Sequence, residues 1–487
     1  MEPVYVMRNP NSQITLLRRC KLRLSTANAM CDGIGTIYVR WIPSPSISFK
    51  LRCDISHVKY NNLPIGPAKI ESIKNSSINF DVFVTNINRQ KKETKIDTCI
   101  HGDVAYPKTI FYESNECDEA KFHIINFIHY PGNLIADFDS NDWLIKISEI
   151  SESHKIYIAL ETQGGYSITH IGSLRHKDGA FKFSDVSIQL DGLYYFFAFL
   201  SGRWCGPVLC SGFFNEKKLW ETWDVITKEA YAILDRLDDK GRRIAEPVSG
   251  PRDRLRLTSG TNGWNWTKLL TETELKQVFK GFMKKWKDES WRAPLKTAIF
   301  LYIEANQASG GTGGAIILTQ SALELLASLH KDVHLNNKPC GKIFKNIDAD
   351  SRIRWLLEDL KIPVEIPSDT KELKNFCDTD LKGKGFIDGP RAITYLRNGL
   401  IHPDKKNIIR LTATEDKIKL QILWLGIRYL EMILLRLFEY NGKYANRLWR
   451  FNDESFKGGL GFLQVVPWGT SLDISHCENC PMQGNSK

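Results

Sequence analysis

The segment Pro390–Pro403 contains three residues whose types together suit the cleavage of RNA: Arg397, Asn398 and His402. In that reaction the 2′-hydroxyl loses a proton and attacks the adjacent phosphorus. A histidine, with an ordinary pKa of about 6.5, exchanges this proton near neutral pH. An arginine stabilises negative charge on the phosphoryl oxygens, and neither group needs a metal ion. We therefore take these three residues as the candidate catalytic residues.

The spacing of this segment predicts a helix with one buried face. Its apolar stripe, at positions i, i+3 and i+7, consists of Ile393, Leu396 and Leu400. A second stripe is polar and consists of Arg391, Thr394, Tyr395, Asn398 and His402. Tyr395 fits two interpretations, lining a substrate groove or packing in the core.

His402 is predicted to lie at the end of this helix, because Pro403 disfavours helical geometry at the residue before it. A terminal imidazole is open to a substrate. Asn398 precedes His402 by four residues, so its amide can reach the imidazole and fix the tautomer. Arg397 is about 140° away round an ideal helix. The two side chains meet only if the arginine reaches around, the helix end distorts, or a second copy supplies a partner.

A plainer interpretation of the same residues is structural. His402 then caps a helix end and Arg397 forms a surface ion pair. Spacing alone favours this interpretation, because an arginine and a histidine at this separation often occur by chance.

Other candidate sites are weaker. The glycine-rich run 309–314 lacks the lysine and hydroxyl residue that end a phosphate-binding loop, so we interpret it as a connection between helices. A metal-dependent nuclease would need convergent carboxylates, but the available set is not diagnostically spaced: Asp348, Asp350, Glu365 and Asp369. His476, Cys477 and Cys480 are one ligand short of a structural zinc site. We therefore predict no cofactor and assign no metal-binding residues. The sequence does not decide whether Cys477 and Cys480 bind a metal ion.

Residues 1–215 show short alternating apolar runs separated by Gly, Pro, Asn and Asp, which predicts half-buried strands in a sandwich or barrel-like domain. Four of these runs lie late in the region: 143–150, 155–160, 181–190 and 194–200. His123 and His129 fall in or near such runs and are interpreted as strand residues, not ligands. This half has no recognisable catalytic cluster, so we expect it to sense or regulate.

After residue 215 the apolar period becomes helical. We predict a helix and linker over 216–270, a helical domain over 271–442, and a tail with a short strand over 443–487. Thr271 and Glu274 have the spacing of a capping box that begins a helix ending near residue 287. Further helices are predicted over 290–307, 314–330, 350–360, 386–401 and 413–440. The last predicted helix, 413–440, is apolar round most of its circumference and must be buried centrally or between subunits. The fold class is thus α+β and multidomain, with a sandwich-like β-rich domain before an all-α bundle.

Composition excludes several classes of protein. Of 487 residues, 42% are hydrophobic and 25% charged, as in globular domains and unlike disordered chains. No stretch approaches the roughly 18 uncharged apolar residues of a membrane span, and the first residues do not resemble a secretory signal, so we expect a cytoplasmic protein. Net charge is +10, of which residues 216–487 carry +8 (43 Lys and Arg against 35 Asp and Glu). A basic helical half is compatible with a polyanionic partner.

The motif from Arg397 to His402 resembles the active motif of the HEPN ribonuclease superfamily: an arginine, a polar residue, a few mostly apolar residues, then a histidine. The order of a β-rich half before a helical half resembles the ApeA-like group of HEPN proteins, which is linked to anti-phage defence. The resemblance implies a helical nuclease bundle that pairs as a homodimer and cleaves RNA without metal. It also implies that Arg397, Asn398 and His402 form the site.

Two functional hypotheses follow. The first is an endoribonuclease effector of anti-phage defence or abortive infection, with RNA as substrate and a phage-derived trigger or ligand acting on the N-terminal domain. The second is a non-catalytic binding protein, whose β-rich half binds a ligand or polymer while its helices only dimerise. In neither case do we expect a membrane partner.

Overall fold

The computed structural model describes residues 2–26, 29–42, 45–55, 65–92, 95–105, 109–127, 136–140, 142–150, 153–223, 266–267, 270–308, 310–335, 344, 346–383, 385–402, 404–451 and 462–468. The chain divides into two units. The β-rich unit comprises Met1–Ile128, Asn133–Tyr194 and Cys205–Thr261. The helical unit comprises His129–Gly132, Tyr195–Trp204 and Asn262–Lys487. This is the α+β arrangement predicted from the sequence, a β-rich region followed by a helical one.

The β-rich unit begins with a closed antiparallel barrel in the order β1-β2-β3-β6-β5-β4. Its strands are β1 (Ile14–Ser25), β2 (Met30–Arg40), β3 (Ser46–Ile55), β4 (Gly66–Ser72), β5 (Asn79–Lys92) and β6 (Lys95–Val104). Alternate residues are buried, for example Leu22, Leu24, Ile37, Val39, Phe49 and Leu51. The period-two pattern therefore produces a barrel here, the second of the two architectures that it allowed.

The next part of the β-rich unit is a seven-stranded antiparallel sheet in the order β10-β11-β12-β9-β14-β15-β7. Its strands are β7 (Thr109–Phe111), β9 (Glu119–Ile125), β10 (Ala136–Ser140), β11 (Trp143–Glu149), β12 (Ile168–His176), β14 (Pro207–Phe214) and β15 (Lys217–Thr222). The short strands β8 (Glu116–Cys117) and β13 (Phe181–Lys182) pair with each other. A barrel and an open sheet thus take the place of the predicted sandwich.

Three predicted strands are helical in the structure. Residues 155–160 lie in helix α1 (Ser153–Gln163), and residues 183–190 and 194–200 lie in helix α2 (Phe183–Ser201). In the second half of α2 the prediction failed because Leu193–Leu200 is apolar without interruption, so the run matches period two as well as a helix does. Tyr195–Trp204, which include the end of α2, belong to the helical unit, where Phe196 contacts the rings of Phe279 and Phe282.

The predicted boundary at residue 215 is also wrong. Residues 217–222 form β15, which pairs with β14 and with β7, instead of beginning a helix. A domain boundary at residue 215 would separate β14 from its hairpin partner β15. It would also assign Tyr195–Trp204 to the β-rich domain, although these residues belong to the helical unit. The remainder of the predicted helix and linker, 224–265, lies outside the described residues.

The helices of the helical unit match most of those predicted. They are α3 (Glu272–Lys287), α4 (Glu289–Asn306), α5 (Gly311–Leu335), α6 (Ala349–Asp359), α7 (Lys371–Asp380), α8 (Gly389–Ile401), α9 (Lys405–Ala413) and α10 (Asp416–Leu437). The capping box is confirmed, since Thr271 Oγ1 accepts from the Glu274 N–H and the Glu274 carboxylate accepts from the Thr271 N–H. Helices α7 and α9 were not predicted, and α9 is separated from α10 by Thr414 and Glu415.

Helix α10 is the central helix of this unit. Fifteen of its residues are buried, including Glu431 and Arg436. Its apolar circumference is therefore covered by the chain's own helices and leaves no broad apolar face for a second subunit. The short strands β16 (Lys443–Ala445) and β17 (Leu463–Val465) pair beyond it, and Trp468 donates to the Tyr440 carbonyl over 2.8 Å. The predicted tail strand is present, and Trp468 is packed in the unit. Cys477 and Cys480 lie outside the described residues.

One described helical segment, Gly311–Asp332 in α5, is long and apolar enough by length and composition to cross a membrane. Core helices of globular proteins pass the same test, and the segment includes buried residues such as Ala315, Leu323 and Leu326. It also carries Glu324, which takes part in ion pairs described below. A membrane-spanning role therefore has little support.

His123, a strand residue as predicted, gives the β-rich unit a specific pH dependence. Its imidazole is buried in β9, where Nε2 accepts from the Tyr5 N–H over 3.0 Å and Nδ1 faces the Leu209 carbonyl at 3.3 Å. This arrangement requires the neutral ring. Burial, and secondarily the nearby Lys218 cation, lowers the pKa of His123 to about 4.

We expect the β-rich unit to lose up to about 3 kcal/mol of stability as pH falls from about 6.5 towards 4. In this window the unfolded chain binds a proton at residue 123 that the folded chain excludes, so the stability present above the unfolded pKa is lost. Calorimetric unfolding of the full chain across this range tests the expectation against His123→Gln, whose pH slope should be flatter. Equal slopes for the two proteins would show that His123 does not control this transition.

Candidate active site

Helix α8, which carries the candidate motif, is fixed at its first turn by ion pairs. Asp388 is its N-cap, and its carboxylate accepts from the Arg391 N–H over 2.9 Å. The same carboxylate receives the Arg354 guanidinium at 2.5 and 3.1 Å, with both side chains only 8% exposed. A buried bidentate pair of this kind sets the direction in which the helix starts. The contacts of Asp388 therefore fix the start and direction of the helix that carries Arg397 and His402.

The helix approaches α10 closely at its start. A Cβ atom added to Gly389 would lie 2.1 Å from the hydroxyl of Tyr429, so only glycine fits there without a shift. Tyr429 is itself held by donating its hydroxyl to the Val364 carbonyl over 3.1 Å. The predicted apolar stripe is confirmed for Ile393 and Leu396, which are each 1% exposed, while Leu400 is half-buried.

The polar stripe of α8 has a buried part near its start and a solvent-exposed part near its end. Thr394 is buried, and the half-buried Tyr395 contacts the ring of Phe376 from α7 at a centroid distance of 6.2 Å. Asn398 and His402 are both exposed. His402 is the C-cap of α8 and departs from helical geometry at φ −117° and ψ 74°. The prediction of a histidine at an open helix end is confirmed.

The backbone around His402 is well defined by hydrogen bonds. Its N–H donates to the Asn398 carbonyl over 3.0 Å. Its own carbonyl accepts from the Asp404 N–H at 2.9 Å and from Asn407 Nδ2 at 2.7 Å. These bonds tie the end of α8 to the start of α9. The imidazole makes no hydrogen bond or ion pair with the part of the chain that the structure describes, so it faces solvent.

The side chain of Asn398 is engaged differently from the prediction. Its Oδ1 accepts from Arg397 Nη1 over 3.1 Å, so within one chain the amide orients the guanidinium. Arg397 also faces the carboxylate of Glu324 on α5, with 4.0 Å between Nη2 and Oε1. No contact between the described side chains joins Arg397 to His402. A single chain thus presents the two groups on one helix without bringing them together.

Three residues around Arg397 were missed by sequence reasoning: Gln320, Glu324 and Arg352. Glu324 faces Arg397, and its other oxygen, Oε2, lies 3.7 Å from Nη2 of Arg352 on α6. Gln320 Nε2 donates to Glu324 Oε1 over 3.0 Å. Because Glu324, Arg352 and Arg397 come from three helices and are more than twenty positions apart in the chain, no local spacing could have identified this arrangement.

The carboxylates considered for a metal-dependent nuclease do not form a site. Asp348 is the N-cap of α6, and Asp350 is buried between Arg354 at 3.4 Å and Arg391 at 3.5 Å. Across the described ranges, no group of three or more His, Cys, Asp or Glu side chains is arranged to hold a metal ion. In the glycine-rich run, Gly310 lies in the turn before α5 and residues 311–314 form the first turn of that helix, with positive φ angles at Gly310 and Gly311.

Parts of both units are similar to domains of YopA. The model of the YopA central domain matches residues 112–231, and the model of the YopA C-terminal domain matches residues 288–457. The first range contains six of the seven strands of the open sheet, all except β7, and the second contains α8 with the motif. Each model covers a part of the chain, and both ranges lie outside the barrel.

A relative extends this similarity to nearly the whole chain. The SPbeta prophage-derived uncharacterized protein YopA of Bacillus subtilis (strain 168) is 24% identical over 470 residues, which is 92% of this chain and 93% of that protein. No solved structure gives a significant match. Similarity to YopA therefore covers the barrel as well as the two matched domains.

Proposed function

We propose that this protein is a metal-independent endoribonuclease of the HEPN type, with Arg397, Asn398 and His402 as its site. The observation that carries the proposal is an exposed His402 at the end of an anchored helix, with the partly exposed guanidinium of Arg397 five residues before it on the same helix. The resemblance of the motif to HEPN ribonucleases adds the reaction. The proposal is also supported by the anchoring of α8 at Asp388 and by the position of this helix within a helical unit.

In the proposed reaction the 2′-hydroxyl attacks the adjacent phosphorus as the bond from phosphorus to the 5′-oxygen breaks. The proton of the 2′-hydroxyl is taken up and a proton is given to the leaving 5′-oxygen, with His402 acting in one of these two transfers. Arg397 stabilises charge on the phosphoryl oxygens, and Asn398 orients the guanidinium through the bond at 3.1 Å. The products are a 2′,3′-cyclic phosphate and a 5′-hydroxyl.

This proposal is tested by incubating the purified protein with end-labelled RNA in excess EDTA. We expect cleavage to persist and to leave 2′,3′-cyclic phosphate ends, whereas DNA of the same sequence stays intact. Cleavage that stops with EDTA, or products with 3′-hydroxyl ends, would contradict the proposed chemistry.

The proposed site requires two chains, because Arg397 and His402 do not meet within one. We therefore propose a homodimer in which the motifs of two copies face each other. The broad apolar face of α10 no longer supports a dimer, since it is buried. The exposed apolar residues next to the motif are instead Ile408 and Ile409 on α9, which are 51% and 61% exposed.

Introducing a charge at Ile409 is expected to weaken this dimer. Ile409→Asp should shift the mass measured by light scattering at micromolar concentration from dimer to monomer, because burying a carboxylate in an apolar interface costs desolvation free energy. Thr297→Asp, at an exposed position of α4, serves as a control for added charge. A wild-type chain that is monomeric and still cleaves RNA would contradict the dimer.

We propose a cytoplasmic role in defence against phage, with the β-rich unit responding to a phage-derived trigger. The resemblance to ApeA-like proteins suggests this role, and a prophage-derived relative is compatible with it because prophages and infecting phages compete for one host. The second candidate function is a non-catalytic binding protein. It is favoured by the lack of contact between Arg397 and His402 in a single chain.

A further inference from the structure

The carboxylate of Glu324 lies between two guanidinium groups on different helices. Its Oε1 is 4.0 Å from Arg397 Nη2, and its Oε2 is 3.7 Å from Arg352 Nη2. Both distances exceed the 2.7–2.9 Å typical of a charge-assisted hydrogen bond. Glu324 thus offsets the repulsion between two like charges without using their hydrogen-bond donors.

The donors of these two arginines are largely unused. Arg397 gives one hydrogen bond, to Asn398, and its Nε is buried without a partner among the described residues. Arg352 Nε is likewise buried without a partner there. The two side chains are 24% and 27% exposed, so their outer nitrogens remain accessible. A guanidinium has five donors, and a buried one that goes unused costs free energy.

A phosphodiester suits this arrangement better than the carboxylate does. Its oxygens diverge tetrahedrally, so one phosphate can accept from guanidinium groups on two helices. A cavity of about 420 Å³ between α7 and the turn after α9 is lined by the carboxyl groups of Glu372, Asp380 and Glu415, which disfavour a phosphate there. The basic side of α6 and α8 is therefore the better surface for a nucleic acid backbone.

We propose that Arg352 is a second phosphate-binding residue of the site, which holds an RNA phosphate jointly with Arg397 while Glu324 keeps the two guanidinium groups in place when RNA is absent. The inference rests on the proposed function for its ligand, a single-stranded RNA. It adds a binding contact from α6 that the motif on α8 does not contain.

The experiment measures binding, so it is separate from cleavage. A fluorescein-labelled single-stranded RNA is titrated with the full-length His402→Ala chain, and with the same chain carrying Arg352→Gln, over a series of salt concentrations. We expect Arg352→Gln to weaken binding about tenfold, as for the loss of a charged hydrogen bond. The slope of log affinity against log salt should also become shallower by about 0.7, the value for one lost phosphate contact on a single strand.

Three further variants in the same background sharpen the result. Arg352→Lys should restore the salt slope but only part of the affinity, because an ammonium keeps the charge and loses the fork. Glu324→Gln should bind RNA more tightly, since a negative charge beside the phosphate is removed. Lys284→Gln removes a cation from another surface ion pair of the helical unit, at 2.5 Å from Glu439, and should leave the affinity unchanged.

The possible outcomes separate this inference from the proposed function. Cleavage of RNA by the wild-type chain combined with unchanged affinity and slope in Arg352→Gln would overturn the inference alone. If Arg352→Gln loses RNA binding but the wild-type chain does not cleave RNA, the phosphate contact is supported and the proposed nuclease activity is contradicted. No RNA binding by the His402→Ala chain at low salt, or equal weakening by Lys284→Gln, would also overturn the inference.

Discussion

His402→Ala is expected to lower the rate of RNA cleavage by about 10²–10⁴-fold, the usual contribution of general acid–base catalysis. The imidazole is exposed, and the hydrogen bonds around it involve only the backbone N–H and carbonyl of residue 402. Alanine keeps both backbone groups, so the fold should not change. Rates with labelled RNA in EDTA, together with the thermal unfolding of each protein, separate lost catalysis from lost structure.

A matched control is available in His176→Ala, which makes the same chemical change in β12 of the other unit. His176 contacts the ring of Trp143 and belongs to no part of the motif. Its removal should leave the cleavage rate as it is in the wild-type chain. Full activity in His402→Ala would show that this imidazole transfers no proton.

Arg397→Lys should fail almost as completely as an alanine substitution. The guanidinium donates to Asn398 through Nη1 while Nη2 faces outward to Glu324. An ammonium group has one nitrogen and cannot hold Asn398 and a phosphate in the same geometry. We expect a decrease of about 10²–10³-fold in turnover, as for one lost donor to a charged transition state. Wild-type turnover with lysine would reduce the role of Arg397 to a simple positive charge.

The anchored part of this site could be predicted from the sequence because its signals are local. A run ending in Ile-His-Pro predicts where a helix stops, and the spacing of Ile393 and Leu396 predicts which side is buried. Both features depend on residues a few positions apart. The structure confirms that His402 is a C-cap and is exposed.

The contacts of Arg397 could not be predicted, because they depend on how three helices pack. In the sequence, Glu324 is a charged residue in an apolar helix, and Arg352 is one of several cations on a short helix. Neither pattern indicates a contact with Arg397. Asn398 has two partners within reach on its own helix, Arg397 and His402. Sequence spacing favoured the imidazole at i+4, but the neighbouring guanidinium takes the amide oxygen.

The fold shows the same division between local and long-range information. Alternation predicted strands in the barrel region, since alternate residues of strands such as β2 and β3 are buried in the closed barrel. It failed in α2, where Phe196, Phe197 and Phe199 are all buried. When nearly every residue of a segment is apolar, the spacing of apolar residues does not distinguish a helix from a strand. Only the tertiary structure then decides between the two.

Glu431→Ala is expected to destabilise the helical unit by about 3–5 kcal/mol, the largest effect on stability that we predict. Glu431 on α10 is 1% exposed and holds the guanidinium of Arg447, which is 2% exposed, through both carboxylate oxygens. Tyr302 donates to the same carboxylate over 2.9 Å, and Asn306 Oδ1 accepts from Arg447 over 3.0 Å. Alanine would leave a buried cation with one partner and a buried hydroxyl without its acceptor.

The size of this effect comes from burial, so the comparison is with an exposed pair of the same charges. Lys284 and Glu439 are 67% and 44% exposed, and Lys284→Ala should cost less than about 1 kcal/mol. Urea unfolding of the full-length chain, followed by helical circular dichroism, measures both variants. Equal losses for the two would mean that the Glu431–Arg447 pair is no more important than a surface contact.

A double variant distinguishes the unpaired charge from the lost attraction. Glu431→Leu combined with Arg447→Met removes both charges and fills much of the same space. Because a buried ion pair costs desolvation of both groups, the double variant should recover most of the stability that Glu431→Ala loses. It should not recover all of it, since Tyr302 and Asn306 each lose a hydrogen-bond partner. A double variant as unstable as Glu431→Ala would indicate that the polar network, and not the isolated cation, accounts for the loss.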